Sequence, residues 1–333
     1  MKQLDIDRLL HSFPAAKLLE THISWIILTG NYAYKIKKPV RFSFLDFSTL
    51  EKRRFYCYRE LALNQRLTSD IYLEVIPVTT FDDAITLDSK DGQLIDYAVK
   101  MRRLAEDRHM AYLLDHQLVT DQDVCQIARV IAPFHQNAER LSQPPDLKRR
   151  LEEFRDVRSV ASFLAEQYGP EVSEVIEAAI TTVENTLPHY ESRLHKRWEA
   201  GFYIDGHGDL HSGNIFLLEQ PVLFDCIEFN DQFRQLDVLD EIAFFCLDLA
   251  YYHQEQLEMP FLNCYQEIYP CLLTREDHWL FAFYKCYRAN VKMKVQTLKA
   301  MQATQLKERT ERLSRASGYY QLFRKYHEEL PSR

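Results

Sequence analysis

Glycine is scarce in this chain, 8 among 333 residues, and there is no Gly/Ser-rich tract, low-complexity segment or internal repeat. A flexible linker is thereby excluded, so any two parts of the chain must be closely joined. Cysteine lacks pattern: the seven, at 57, 125, 226, 246, 264, 271 and 286, are odd in number and never spaced C-x-x-C. Neither a disulfide framework nor a thiolate zinc site is expected, which fits a reducing cytoplasm. Long apolar runs are missing too. The greasiest stretch, "IAFFCLDLAYY", falls well short of the ~20 residues a bilayer span takes, and "MKQLDIDRLLHSF" is broken by charges with no apolar signal core. A soluble intracellular protein is expected. Nor is there a basic excess: 41 Lys and Arg stand against 49 Asp and Glu, a formal charge of −8. That balance argues against a nucleic-acid coat or an anionic membrane as main partner, and nothing in the pattern sets an oligomeric state.

What is present is a 46% hydrophobic content, enough for one large domain or two modest ones. Short β-rich runs fill the first hundred residues: "AKLLET", "SWIILTG" and "YAYKIKKPV", with "TGN" as a hairpin turn, then "YLEVIPVTT" and "LIDYAVKMRRL". Between them "STLEKRRFYCYRELALNQRL" reads as one helix, Ser48 and Glu51 having capping-box spacing. After Met101 the texture becomes helical. Val124, Ile127, Ala128 and Ile131 share one face, Val172, Val175, Ile176, Ala179, Ile180 and Val183 another, and a last helical region covers roughly 275 to 312. The expectation is an α+β fold of two parts: residues 1–101, a mostly antiparallel sheet with one helix, and residues 102–333, mainly helical.

Residues 207 to 216, "HGDLHSGNIF", concentrate polar chemistry. His207, Asp209 and His211 can be read as a metal nest, as in zinc hydrolases, but no further His/Asp cluster with ligand spacing follows. The alternative starts from "IFLL" and "VLFD", which flank the turn "EQP" as a hairpin. Pairing Ile215 with Asp225 brings Asn214 close to Asp225, and an amide oxygen beside a carboxylate suits Mg²⁺. Asp209 precedes Asn214 by five positions, the D-x-x-x-x-N spacing of a kinase catalytic loop. Asp209 is then the base that orients a substrate hydroxyl.

With these residues quoted, "HGDLHSGNIFL…VLFDCIEF" resembles the catalytic loop and metal segment of the aminoglycoside phosphotransferase and choline kinase group, small-molecule kinases of protein-kinase-like fold. "FRQLDVLDEIAFFCLDL" is similar to the helix that follows in that group. The resemblance implies ATP and Mg²⁺ as cofactors and a small-molecule hydroxyl as acceptor. It implies Asn214 and Asp225 as metal ligands, Lys35 in "AYKIKKP" as the phosphate lysine, and Glu60 as its partner. Backbone groups near Met101, Arg102 and Leu104 would meet the adenine. The group's glycine-rich loop is replaced here by "ETHIS", leaving Thr21 and Ser24 hydroxyls with backbone N–H groups to cover the phosphates. Lys37 projects from the same strand face as Lys35 and competes for its role. Other readings are a nucleotide-binding regulator without turnover, a protein kinase or a metallohydrolase. The helical stretch from about 140 to 203 and the C-terminal helices would shape the acceptor pocket, and neither carries a readable code. Lys285, Arg288 and Lys292 either attract an anionic substrate or form a solvated face.

Overall fold

The computed structural model describes residues 1–42, 44–68, 70–82, 84–89 and 91–330. Two compact units emerge. The first comprises Met1–Leu113, His207–Asp209 and Gly213–Arg234, and the second comprises Leu114–Gly206, Leu210–Ser212 and Gln235–Arg333. The first unit therefore runs past the expected limit at residue 101 and takes back two later pieces of chain, one carrying Asp209 and the other Asn214 and Asp225.

In the first unit α1 (Gln3–His11) precedes β1 (Lys17–Glu20), β2 (Ser24–Leu28) and β3 (Tyr32–Lys37), and a short hairpin of β4 (Arg41–Phe42) and β5 (Leu45–Asp46) follows. Then come α2 (Leu50–Asn64), β6 (Tyr72–Phe81), β7 (Ala84–Leu87), β8 (Gln93–Arg102) and α3 (Met110–Asp115). Six strands pair antiparallel in the order β1-β2-β3-β8-β6-β7. Period-two alternation lets the inner strands bury apolar side chains on both faces. Trp25, Ile27, Ile36, Ile76, Val78 and Ala98 bury with Ile6 and Leu9 of α1, a nine-residue helix too short for periodicity alone to reveal. Leu28, Ala33, Val99 and Met101 form part of a second cluster with Cys57 of α2.

Helix α2 starts one residue later than its sequence signal. Thr49 is the N-cap, its hydroxyl accepting from Lys52 N–H at 3.3 Å, while Ser48 donates its hydroxyl to Asp46 Oδ1 at 2.6 Å. Both are good capping residues, and the carboxylate two positions back claims Ser48 first.

The second unit is mainly helical: α4 (Asp121–Asn137), α5 (Leu147–Arg155), α6 (Arg158–Tyr168), α7 (Glu171–Thr186) and α8 (Glu191–Glu199) lead to β9 (Tyr203–Asp205). The chain next supplies β10 (Ile215–Phe216) and β11 (Val222–Leu223) to the first unit. It returns as β12 (Gln235–Asp237), which pairs with β9, and continues through α9 (Val238–Tyr251), α10 (Glu258–Ile268), α11 (Arg275–Gln302) and α12 (Leu306–Glu329). The last helical region is thus two helices, broken at Ala303.

Buried charges organise this unit. Arg197 is fully buried, gives both ends of its guanidinium to Asp237 at 2.7 Å and reaches Asp277 at 2.8 Å, while Asp237 also caps α9 through Leu239 N–H. Asp240 joins Arg288 at 2.6 Å and Arg150 at 3.3 Å, and Lys285 pairs with Glu258 at 3.0 Å, so two of the three suspected surface cations are structural. A pairing the sequence did not suggest brings Cys125 of α4 and Cys264 of α10 together with their Cα atoms 5.4 Å apart, within reach of a disulfide. Their separation of 139 residues leaves no spacing signature for a sequence reading to find. Among the described residues no helix is long and apolar enough to cross a membrane.

Candidate active site

The loop beginning at His207 is shaped by a glycine and a histidine. Gly208 has φ +89°, and a Cβ there would stand 2.9 Å from the Phe233 carbonyl oxygen, so only glycine fits. His207 is fully buried. Its Nε2–H donates to the Phe224 carbonyl at 2.9 Å and its Nδ1 accepts from Asp209 N–H at 3.3 Å, a tautomer assigned from these partners. With both ring nitrogens engaged, His207 braces the loop. Asp209 is half-buried, and Asn214 Nδ2 donates to its carbonyl at 3.0 Å and its Oδ2 at 3.2 Å. This use of the amide nitrogen leaves Asn214 Oδ1 for a cation.

The hairpin behind the loop forms with a different register from the expected one. Ile215 pairs with Leu223 and Phe216 with Val222, because the connection takes five residues rather than three. The consequence for the site is small, since Phe224 N–H donates to the Asn214 carbonyl at 3.1 Å and Asp225 follows directly. Asp225 itself has φ +65°, a left-handed backbone that costs a non-glycine residue roughly 1–2 kcal/mol. Its N–H donates to the Tyr72 hydroxyl at 3.3 Å, and the next N–H, of Cys226, donates to Asn64 Oδ1 at 2.9 Å. These contacts hold the strained residue in place.

Strand β3 and helix α2 deliver the charges. Lys35 Nζ lies 2.7 Å from Glu60 Oε1 and 2.6 Å from Asp225 Oδ1. Burial works against the ammonium form of Lys35, yet the Asp225 and Glu60 carboxylates outweigh it and hold its pKa well above the ordinary lysine value. Burial likewise opposes ionisation of Glu60, but Lys35 and Lys37 bring its pKa down to about 2. Lys37 is wholly enclosed, touching Glu60 Oε2 at 2.6 Å and Glu228, whereas Lys35 keeps 7% of its surface exposed. Sequence reasoning missed Glu228. Its signal was a carboxylate in the mostly apolar run "FDCIEF", and burial raises its pKa. Tyr72 and Asn64 gave no signal.

The proposed phosphate cover is corrected. Thr21 and Ser24 do lie at the β1–β2 turn, but Thr21 Oγ1 accepts from Ser24 N–H at 2.9 Å and donates to the Ser24 carbonyl at 3.1 Å. The Ser24 hydroxyl is buried without a hydrogen-bond partner among the described residues. The Thr21 hydroxyl is spent on the backbone of its own turn and the Ser24 hydroxyl is enclosed, so neither is presented to a phosphate. At the other end of the sheet Met101 is buried in the cluster with Leu28, Ala33 and Val222, and Leu104, Phe216, Leu218 and Phe224 pack on it half-buried. Arg102 is exposed, and its N–H is occupied by the Ile71 carbonyl at 2.9 Å. The adenine-binding expectation therefore rests on this apolar surface and on the chain just after β8.

Asn214 Oδ1 and Asp225 are hard oxygen donors, and no group of three or more His, Cys, Asp or Glu able to hold a metal occurs among the described residues. Two protein oxygens fit Mg²⁺, which is usually bound by one or two protein carboxylates together with phosphate and water, and they do not fit a zinc nest at His207 and His211.

No protein-family model matches the chain. It is 32% identical over 302 residues to uncharacterized proteins of Mycobacterium bovis and Mycobacterium tuberculosis, covering 87% of this chain and 56% of theirs. The chain thus spans little more than half the length of these relatives. Among solved structures, the AMP-bound complex of spectinomycin phosphotransferase aligns with TM-score 0.53 at 13% identity, covering 95% of this chain and 98% of that one. The GDP complex of aminoglycoside 2'-phosphotransferase-IIIa aligns with TM-score 0.51 at 12% identity, covering 96% and 98%. The chain has the fold of the aminoglycoside phosphotransferases. This protein-kinase-like fold comprises an antiparallel sheet part and a mainly helical part, as the sequence led us to expect. Within the phosphotransferase fold, Lys35, Glu60, Asp209, Asn214 and Asp225 all belong to the first compact unit.

Proposed function

We propose that this chain is an ATP- and Mg²⁺-dependent phosphotransferase of the aminoglycoside phosphotransferase and choline kinase-like group, moving the γ-phosphoryl group to a hydroxyl of a small molecule. The observation that carries the reading is the meeting of Lys35, Glu60 and Asp225 within 2.7 Å contacts, beside the bonded pair Asp209 and Asn214. Glu60 fixes the Lys35 ammonium for the α- and β-phosphates. Asn214 and Asp225 would hold Mg²⁺, which when bound supplies charge neutralisation on the phosphate oxygens. Asp209 accepts a hydrogen bond from the acceptor hydroxyl, orients it in line and receives its proton as the new O–P bond forms and the bond from the γ-phosphorus to the β,γ-bridging oxygen breaks, releasing ADP. Rate enhancement comes from positioning and electrostatics. The AMP and GDP complexes of the structural neighbours support a purine nucleotide, and their acceptors are small molecules. A cytoplasmic setting, where ATP is plentiful, suits the reading.

The test is calorimetric titration of Mg·ATP into the wild type, then a search of alcohol-bearing metabolites and aminoglycosides for a product heavier by one phosphoryl group. Equal product from wild type, Asp209→Ala and Asp225→Ala sinks the mechanism. A nucleotide-binding regulator is the second reading, favoured by a Thr21 hydroxyl spent on its own turn and a Ser24 hydroxyl that is buried. It predicts Mg·ATP binding with no turnover and no effect of Asp209→Ala.

A further inference from the structure

One lysine and one glutamate suffice to hold a phosphate-binding ammonium, yet this site buries a second pair. Lys37 and Glu60 are fully enclosed and Glu228 is 3% exposed. Taking such charges out of water is costly and often leaves an ion pair no more stabilising than an apolar one, so a second pair calls for an account beyond stability. Its connections supply one. Glu60 divides its carboxylate, Oε1 to Lys35 at 2.7 Å and Oε2 to Lys37 at 2.6 Å, which fixes the carboxylate plane. Lys37 also holds Glu228, three residues beyond Asp225, and so ties β3 and α2 to the segment that carries Asp225. Asn64 closes the circuit, donating to the Glu60 carbonyl at 2.8 Å and accepting from Cys226 N–H at 2.9 Å.

A second charged link between β3 and this segment is the contact of Lys35 with Asp225. On the phosphotransferase reading, upon which this inference rests, that contact must be given up: Asp225 turns to the metal and Lys35 to the phosphates. We propose that Lys37 and Glu228 are positioning residues, which keep the Asp225 segment on β3 while Asp225 exchanges Lys35 for the metal. Neither touches nucleotide. They act by leaving Asp225 within reach, in its left-handed backbone, after its direct tether has gone.

The test uses the full chain and three variants: Lys37→Met, Glu228→Gln, and the double Lys37→Met with Glu228→Leu. Each single change leaves a buried charge or polar group unmatched and lowers the melting temperature, whereas the apolar pair removes both and recovers it. Mg·ATP affinity is expected to stay about tenfold or more below wild type in the double variant, as for outer residues that support a metal ligand. Hydrogen exchange in residues 224–229 should be faster without ligand. Recovery of affinity together with stability, or unchanged exchange in that segment, overturns the proposal. A double variant that melts as low as the single ones makes the pair a structural requirement and also overturns it. A wild type that binds no Mg·ATP defeats the phosphotransferase reading itself and this inference with it. A binding wild type matched by an equally tight double variant removes the inference alone.

Discussion

Lys35 and Asp225, 190 residues apart in sequence, are in direct contact, ammonium nitrogen to carboxylate oxygen at 2.6 Å. The contact joins the residue expected to meet the phosphates with the residue expected to meet the metal. Each is therefore the other's stand-in: the lysine occupies the carboxylate that a cation would take, and the carboxylate occupies the ammonium that a phosphate would take.

Asp225→Asn should lower kcat/KM by about 100-fold or more, the usual cost of removing one electrostatic element of an active site. Lys35 retains Glu60, so the fold should persist. Melting within a few degrees of wild type, alongside lost Mg·ATP binding in calorimetry, is the expected pair of results. Undiminished binding would remove Asp225 from the metal site.

Asp209→Ala should act on turnover rather than on nucleotide binding, since the side chain addresses the acceptor. The expected loss in kcat is about 100- to 10,000-fold, with KM for Mg·ATP nearly unchanged. Steady-state kinetics with any acceptor that works will decide. A rise in KM alone would argue for a binding role.

Acid should unfold the protein through its depressed carboxylates. Glu60, opposed by burial but held by Lys35 and Lys37, has its pKa lowered from 4.5 to about 2, and Asp277, opposed by burial but bonded to Arg193 and Arg197, from 3.8 to about 2. Below their unfolded values these groups take up protons more readily in the unfolded chain. Their stabilisation is thus complete above about pH 4.5 and is lost as the pH falls toward 2. Urea midpoints measured across that interval should drop steeply. Glu60→Gln should flatten the slope, and an unchanged slope would count against the pairing.

Arg197→Met should destabilise by about 3–5 kcal/mol, because it strands the buried carboxylates Asp237 and Asp277 without their cation. Asp277 keeps Arg193, so most of the cost should fall on Asp237. Denaturant unfolding measures it, and a change below 1 kcal/mol would show that the pair is not buried as described.

The Cys125–Cys264 bond closes a loop of 139 residues and should contribute about 2–4 kcal/mol where it forms. Alkylation and mass measurement should find five free thiols without reductant and seven with it. Seven under both conditions would show that the two sulfurs only touch.

Legibility in the sequence followed the range of the interaction concerned. Asp209, Asn214 and Asp225 stood out by the five-residue spacing and the hairpin, whereas Lys35 and Glu60 were singled out only through the resemblance; the structure puts Lys35 in contact with Glu60 and Asp225. Ser48 and Thr49 could not be separated, since both cap well and the choice fell to Asp46. The Ile215–Leu223 register was hidden because two-residue strands do not fix their own turn. Lys37 was legible as a strand lysine but not as an enclosed one, because Glu228 reaches it from 191 residues away. The cysteine pair was invisible for the same reason of distance.

Gly208 leaves no room for a side chain beneath the Phe233 carbonyl. The turn at residues 230–234 therefore serves as a mould for the peptide that positions Asp209, and drift in either stretch must be matched in the other. Laboratory evolution toward a new acceptor that randomises the two stretches together should find active variants that neither library yields alone.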